Sequence, residues 1–295
     1  MFRLVHLSDV HLGPLPEPRV IDLIGKRLFG YVNWVGKRRA LHDMGVLSRI
    51  VDDIKAQSPD HIACAGDLVN IALPEEFVAA TRFMETLGDP QRVSLVPGNH
   101  DAYVGSSPAE IEKNWSRWMT TDSGRFEGFP YIRMMGPIAL VGLNSGVPTS
   151  PFMATGWMGE KQRDDFKRAM QFLKLQGLAR VVMIHHPPYL GGATFGRTLT
   201  DAARFEKIVA ETGAELILHG HNHVSSMAYI KGPEGRVPVI GAPSASAARG
   251  SATHRAGYHI FDFDRTETGI KISGQTRGLL ENGEIGAIGA IAFKA

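Results

Sequence analysis

Residues 2–11 read Phe2-Arg3-Leu4-Val5-His6-Leu7-Ser8-Asp9-Val10-His11, a short apolar run followed at once by an aspartate and a histidine. A run of this kind, bounded by polar residues, is typical of a strand buried inside a sheet. In α/β proteins the functional groups lie just beyond the carboxyl ends of such strands. The stretch therefore predicts a first buried strand that brings Asp9 and His11 to one edge of a sheet.

The same arrangement recurs four more times along the chain. Further apolar runs end in Gly66-Asp67, in Gly98-Asn99-His100-Asp101, in His185-His186-Pro187 and in Gly220-His221-Asn222-His223. Three of these motifs contain a glycine directly before a polar residue, and glycine permits tight turns and close backbone approach. Five strand ends that deliver polar residues to one edge predict a composite site.

Helical spacing of apolar residues separates these runs. It predicts helices over 41–57, 74–87, 111–119, 159–175 and 201–212, and strands over 2–7, 60–65, 92–96, 138–143, 180–184, 215–218, 237–240, 258–264 and 270–275. Alternating strands and helices with a β-rich tail indicate an α/β fold of sheet layers covered by helices. Neither a repeat nor a linker divides the chain. Because the motifs must converge in space, residues 1–295 are predicted to form a single domain.

Composition narrows the functional classes. The chain has 295 residues, of which 43% are hydrophobic and 21% charged, as in an ordinary soluble globule. A net charge of only +2 gives no general attraction to nucleic acid, so we expect no stable nucleic acid complex. Cys64 is the sole cysteine, which excludes an intrachain disulfide. The sequence shows neither a signal peptide nor an apolar run of about 20 residues, so a cytoplasmic location is expected.

The motifs supply ligands for metal ions. The candidates are Asp9, His11, Asp67, Asn99, His185, His221 and His223. Three oxygen donors and four imidazoles suffice for two divalent ions, and this donor set suits Mn, Fe and Zn without selecting among them. Two ions a few ångströms apart can share a bridging water and stabilise both ends of a phosphoryl displacement. The donor set therefore points to hydrolysis of a phosphate ester.

In their order, Asp-x-His, Gly-Asp, Gly-Asn-His-Asp, His and Gly-His-x-His resemble the motifs of the calcineurin-like metallophosphoesterase family. The resemblance implies two mixed β-sheets packed face to face with helices outside. It implies one ion held by Asp9, His11, Asp67 and His223, and a second held by Asp67 as the bridging ligand, Asn99, His185 and His221. It also implies that His100 faces the substrate and stabilises or protonates the leaving oxygen, with Asp101 orienting it.

From this resemblance we expect a phosphodiesterase in which a metal-bridging hydroxide attacks phosphorus and His100 assists the leaving group. The preference for diesters comes from similarity to bacterial phosphodiesterases. A nuclease of the same family, a phosphomonoesterase and a lipid-linked pyrophosphatase remain alternatives, and the substrate is open to nucleotide-linked and lipid-linked esters. The complete ligand set argues against a non-catalytic scaffold.

Several residues have structural interpretations as well. His185 and His186 are adjacent and project differently, so only one is expected to bind metal, and the family pattern favours His185. His6, His61 and His219 lie in apolar strands and are expected to be core histidines. Arg249 is either a substrate phosphate ligand or, as favoured, a solvated loop residue.

Residues 14–40 form a basic insertion between the first motif and the first long helix. Six cations against Asp22 give residues 19–39 a net charge of +5. A helical wheel places Val20, Ile21, Ile24, Leu28, Tyr31, Val32 and Val35 on one face and Arg19, Asp22, Lys26, Asn33 and Lys37 on the other. Gly25, Gly30 and Gly36 favour two short helices over one.

Two interpretations of this insertion remain open. In the first, its apolar face covers the core and its charges lie in water. In the second, it is a lid or docking arm beside the metals, suited to a nucleotide, an anionic amphiphile, peripheral contact with a membrane, or a homo-oligomer interface.

Overall fold

The computed structural model describes residues 1–122, 127–267 and 269–293. The strands are β1 (Phe2–Leu7), β2 (His61–Cys64), β3 (Val93–Leu95), β4 (Tyr131–Met135), β5 (Ile138–Gly142), β6 (Ala179–Met183), β7 (Leu216–His219), β8 (Ser226–Lys231), β9 (Arg236–Gly241), β10 (Gly257–Thr266), β11 (Gly269–Leu279) and β12 (Ile285–Ile291). The α-helices are α1 (Lys26–Gly36), α2 (Met44–Ala56), α3 (Pro74–Leu87), α4 (Ser107–Trp115), α5 (Glu160–Leu175) and α6 (Ala202–Thr212).

The strands form two sheets of six strands each. The first sheet has the order β12-β11-β10-β1-β2-β3, in which β1, β2 and β3 are parallel and β10 to β12 are antiparallel. The second has the order β4-β5-β6-β7-β9-β8, with β5, β6, β7 and β9 parallel and an antiparallel strand at each edge. Both sheets are mixed, and helices flank them, so the predicted sandwich is confirmed.

Alternation along the buried strands explains how one chain fills both layers of the core. On β6, Val181 and Met183 face the first sheet, whereas Val182 packs with Phe205 under α5 and α6. Successive side chains of a strand point to opposite faces, so a strand covered on both sides reads as a continuous apolar run. Each fully buried side chain of this size contributes roughly 1.5–3 kcal/mol.

Most predicted elements are found within a few residues of their expected bounds, and α3 coincides with its prediction. The helix predicted from 41 begins instead at Met44, because the Asp43 carboxylate accepts hydrogen bonds from the backbone N–H groups of Gly45 and Val46 and so caps it. Three strands, β4, β8 and β12, were not predicted. All three lie at sheet edges, where partial exposure removes the continuous apolar signal.

The insertion at 14–40 contains one α-helix, α1, between short 3-10 turns at Val20–Leu23 and Arg38–Ala40, instead of the two short helices predicted, and Gly30 lies inside the helix. Of the two interpretations left open, cover of the core by the apolar face holds only in part: Tyr31 packs against the core, whereas Val20, Ile24 and Val32 are exposed. Within the ranges given above, no helix has the length and hydrophobicity needed to cross a membrane.

Gly30 is retained inside α1 because the helix lies against the neighbouring loops. A Cβ at this position would lie 2.5 Å from the Tyr103 hydroxyl and 2.6 Å from Cγ2 of Ile71. Close packing therefore overrides the weak helix propensity of glycine at this position.

We predict that Gly30→Ala destabilises the protein by roughly 1–3 kcal/mol, because the added methyl overpacks the contact with Tyr103 and Ile71. The matched control is Gly36→Ala on the same helix, where a Cβ would meet nothing within 4 Å. Urea unfolding should show a loss only for Gly30→Ala. Equal effects of the two substitutions would contradict the packing explanation.

Candidate metal centre

The motif loops leave their strands through left-handed backbone conformations. Asp9, His11, Asp67, His221 and His223 have φ values between 45° and 70°. They make up five of the eight non-glycine residues with positive φ in the described part of the chain. Each such residue costs about 1 kcal/mol or more, and strain of this kind persists where the surroundings require it, often at functional sites.

Two glycines allow these loops to approach one another. A Cβ at Gly220 would lie 2.5 Å from Oδ2 of Asp9. A Cβ at Gly98 would collide with the Asp67 carboxylate and would lie 2.7 Å from Cε1 of His185. The expectation that these glycines permit close backbone approach is confirmed.

The first cluster contains Asp9, His11, Asp67 and His223. The Nε2 atoms of His11 and His223 are 3.1 Å apart, and Nε2 of His223 is 3.2 Å from Oδ1 of Asp9. Nε2 of His11 lies 3.8 Å from Oδ2 of Asp67. The loops after β1, β2 and β7 thus place four donors around one point.

The second cluster contains Asp67, Asn99, His185 and His221. Nε2 of His185 is 3.3 Å from Oδ2 of Asp67 and 3.2 Å from Oδ1 of Asn99. Nδ1 of His221 is 2.7 Å from the same Asn99 oxygen. Because Asp67 belongs to both clusters, the structure brings together all seven residues predicted as ligands.

These separations fit shared cations. Two ligand atoms each about 2.1 Å from one ion lie roughly 3–3.5 Å apart. In the described structure, Oδ1 of Asp9 and Nε2 of His221 are buried without a hydrogen-bond partner, and a buried charged or polar atom is stable only when it is paired. The two clusters could therefore hold divalent metals of the kind that carboxylates and imidazoles prefer.

Backbone carbonyls orient two of the imidazoles. Nδ1 of His185 donates to the carbonyl oxygen of Ala65 at 2.6 Å, and Nδ1 of His11 faces the carbonyl oxygen of Val69 at 3.2 Å. A carbonyl only accepts hydrogen bonds, so both rings carry a proton on Nδ1 and direct Nε2 into the site, where a bound cation would take the place of any proton on that nitrogen. Such outer partners commonly fix the tautomer of metal-binding histidines.

The buried carboxylates of the site are stabilised by nearby positive charge. Burial disfavours ionised Asp9 and Asp67, yet neighbouring imidazoles, His223 beside Asp9 and His185 beside Asp67, hold the pKa of each carboxyl below its usual value. Burial likewise disfavours protonated His185, but the charge of Asp67 outweighs it and raises the pKa of His185 to about 9. Bound cations would compensate the same carboxylates.

His186 points away from the clusters. Its Nδ1 is 2.8 Å from the Ser145 hydroxyl, and its Nε2 is 3.1 Å from the carbonyl oxygen of Ala154. This geometry supports the choice of His185 over its neighbour. His6, His61 and His219 are buried on strands, as expected for core histidines, and Arg249 is exposed.

His100 lies at the edge of the clusters. Its backbone N–H donates to Oδ1 of Asp67 at 2.7 Å, its Nδ1 is 2.5 Å from the carbonyl oxygen of Asn70, and its ring stacks on Tyr103. Nε2 accepts a hydrogen bond from Nη1 of Arg38 at 2.7 Å. Burial and the Arg38 charge lower the pKa of His100 to about 3, so its imidazole is neutral in this arrangement.

Asp101 has a different place from the one that the resemblance implied. In the described chain, the hydrogen bonds of its carboxylate all come from backbone N–H groups: those of Asp67 and Gly98 to Oδ2, and those of Leu68 and Val69 to Oδ1, at 2.8–3.2 Å. Asp101 thus joins the loops after β2 and β3, which carry Asp67 and Asn99. It positions the loop of His100 rather than the imidazole itself.

Sequence reasoning did not identify Arg38 and His42 as neighbours of the metal clusters. Nη2 of Arg38 lies 3.0 Å from Nε2 of His11, and Lys37, Arg38 and Arg197 line a pocket of about 400 Å³ over the site. His42 lies within ligand distance of His11 and His223. The basic run at 37–39 indicated that a cation could lie near the site, but which way the Arg38 side chain points depends on how α1 packs.

Comparison with known proteins identifies the family of the chain. The sequence model of the calcineurin-like phosphoesterase family matches residues 2–225. The chain belongs to this family. It is 26% identical over 198 residues to a probable cyclic nucleotide phosphodiesterase of Synechococcus sp., a match that covers 66% of this chain and 68% of that protein.

Solved structures with a similar fold include two phosphatases. One is a dimetal phosphatase from Danio rerio, with a TM-score of 0.62 at 13% identity over 98% of this chain and 99% of that chain. The other is a purple acid phosphatase from yellow lupin seeds, with a TM-score of 0.59 at 12% identity over 97% of this chain and 52% of that chain. At these identities the similarity shows the fold.

We predict that Asp101→Asn lowers the free energy of unfolding on the order of 3 kcal/mol. The side-chain NH2 of asparagine is a donor, so it cannot accept the hydrogen bonds that backbone N–H groups now donate to one of the carboxylate oxygens. Urea unfolding measures the loss, with Asp52→Asn on the exposed side of α2 as the matched control. Unchanged stability with impaired catalysis would instead favour a role of Asp101 in orienting His100 alone.

Proposed function

We propose that this protein is a two-metal phosphoesterase that hydrolyses phosphate diesters. The observation that carries the proposal is the pair of donor clusters that share Asp67 beneath a cationic pocket. Asp9, His11, Asp67 and His223 would hold one ion, and Asp67, Asn99, His185 and His221 the other. When bound, such ions supply Lewis acidity and an activated water for attack on phosphorus.

The pocket above the clusters supplies groups for an anionic substrate. Arg38 is oriented by Nη contacts to His11 and His100. The Nε2 lone pair of His11 cannot both accept a hydrogen bond and bind a cation, so with His11 as a metal ligand one arm of the guanidinium would be available for phosphate oxygens. Arginine offers a planar pair of donors that matches two oxygens of a phosphate, and Lys37 and Arg197 add positive charge to the pocket lining.

In this proposal His100 would assist the leaving group. Its Nδ1 is held by the Asn70 carbonyl, so Nε2 is the nitrogen that is directed to the pocket. Protonation of Nε2 is opposed by Arg38 in the free protein, whereas a phosphate anion beside the imidazole favours it. A proton held there can pass to the departing oxygen.

The preference for a diester rests on the relative from Synechococcus. The same clusters and pocket would serve a monoesterase or a lipid-linked pyrophosphatase. A nuclease needs basic residues that follow an extended phosphate backbone, and the net charge of +2 gives little support for that.

We predict metal-dependent hydrolysis of bis(p-nitrophenyl) phosphate that exceeds hydrolysis of p-nitrophenyl phosphate. Metal-stripped protein is assayed after addition of Mn, Fe or Zn, and His100→Ala should lower kcat roughly 10²–10⁴-fold because the leaving oxygen loses its proton donor. A preference for the monoester would reject the diesterase assignment. Full metal binding without turnover of either ester would argue against the proposed chemistry itself.

We predict that Arg38→Ala lowers kcat/KM for the diester roughly 100-fold, because a charge-assisted pair of hydrogen bonds to the substrate is lost. Arg38→Lys should recover only part of the loss, since lysine keeps the charge but not the planar pair of donors. Arg204→Ala, on the exposed side of α6, is the control. An unaltered kcat/KM in Arg38→Ala would remove this residue from substrate binding.

A further inference from the structure

Helix α1 carries its apolar side chains on the surface. Ile24 and Val32 are 71% and 63% exposed, and Val20, in the preceding 3-10 turn, is 88% exposed. We define the apolar rim as Leu28, Val32 and Val35, which follow one another at helical spacing on α1, together with Ile24 just before the helix, Phe29 and Phe152. All six are exposed. Contiguous apolar surface of this kind marks an interaction site more often than it serves the isolated fold.

The polar side of α1 faces the protein and holds the helix in this orientation. Nζ of Lys26 donates to Oγ1 of Thr149 at 2.6 Å, and the Arg27 guanidinium donates to the carbonyl oxygens of Ile71 and Ala72. Trp34 is buried on the same side. Rotating the helix to bury the apolar rim would break these bonds, so the exposure of the rim is built into the fold.

Neighbouring loops extend the apolar rim toward the site. The rings of Phe29 and Phe152 are in contact, with centroids 4.9 Å apart. The backbone N–H of Ala154 donates to the carbonyl of Gly196 at 2.8 Å, which brings the loop of Phe195 alongside. Phe195 is 96% exposed. The helix and the loop of Phe152 thus contribute apolar side chains to one surface, and the loop of Phe195 is bonded to the second of them.

The charge around the apolar rim is positive. Of the cations that give residues 19–39 a net +5, Lys26 and Arg27 bond to the protein on the inner side of α1 and Arg38 contacts His11 and His100. Lys37 and Arg39, just after α1, are exposed, and Arg19, before the helix, is exposed and paired with Asp22. A helix with an apolar face flanked by cations is suited to the boundary between anionic headgroups and acyl chains.

The apolar rim also adjoins the candidate metal centre. Asn33, Lys37 and Leu41 line the pocket over the metal clusters, and they lie on the same segment as Val32 and Val35. A surface that binds the rim would therefore lie beside the mouth of the pocket.

We propose that the apolar rim docks the protein on the surface of a bilayer that contains anionic phospholipids. The aliphatic and phenyl side chains enter the acyl boundary, and the flanking cations contact headgroup phosphates. A second copy of the chain fits the surface less well, because a symmetric interface would bring the exposed cations Lys37 and Arg39 of both copies to one contact. The inference concerns binding and does not depend on the proposed hydrolysis.

The test is co-sedimentation of the full chain with two kinds of vesicle, pure phosphatidylcholine and phosphatidylcholine mixed with phosphatidylglycerol. We expect stronger binding to the mixed vesicles that weakens as salt is added. The double variant Ile24→Ser/Val32→Ser should lower the partition coefficient at least about tenfold, because two aliphatic side chains no longer enter the bilayer. The matched control is Leu175→Ser, which removes an equally apolar, 83% exposed side chain from α5.

Folding of each variant is verified by thermal unfolding, so the result does not require turnover and stands apart from any failure of the proposed function. Absence of binding to the mixed vesicles, or equal binding by the double variant, would overturn the proposal. A dimer in light scattering that the double variant converts to a monomer, without vesicle binding by the original protein, would assign the apolar rim to a second copy instead.

Discussion

Buried negative charge where the two sheets meet is the constraint on which the rest of the structure depends. Asp9 and Asp67 come from the first sheet and are fully buried, and the second sheet supplies the His185 imidazole beside Asp67 and the backbone N–H of His221 that donates to Asp9. Carboxylates in such a place are stable only when they are paired and hydrogen-bonded. The left-handed turns, the glycines that admit close approach and the bonds of Asp101 all follow from the need to bring compensating groups around these two residues.

The parts of the fold that the sequence predicted are those with a single strong physical cause. The strand at 2–7 and the strand at 180–184 are largely buried on both faces and therefore read as mainly apolar runs. The ligand positions were predictable because polar residues interrupt those runs where each strand ends. The edge strand Ile285–Ile291 consists mostly of glycine and alanine and is partly or fully exposed along its length, so its pairing with β11 depends on a neighbour rather than on its own pattern.

The orientation of α1 could not be predicted, and the reason is physical. A helical wheel shows which residues share a face but not which face packs against the protein. Here the answer depends on Gly30 contacting Tyr103 and on Arg27 reaching backbone carbonyls far along the chain. The same limit hid the position of Arg38, and the bonds of Asp101 to backbone N–H groups leave no signature in side-chain identity.

One element thereby connects the outer surface with the pocket. Gly30 of α1 packs on Tyr103, the Tyr103 ring stacks on His100, and the turn after α1 places Arg38 between His100 and His11. Because these contacts are close-packed, a shift of α1 cannot leave the guanidinium where it is. A displacement of α1 would therefore also displace Arg38 from His100 and His11.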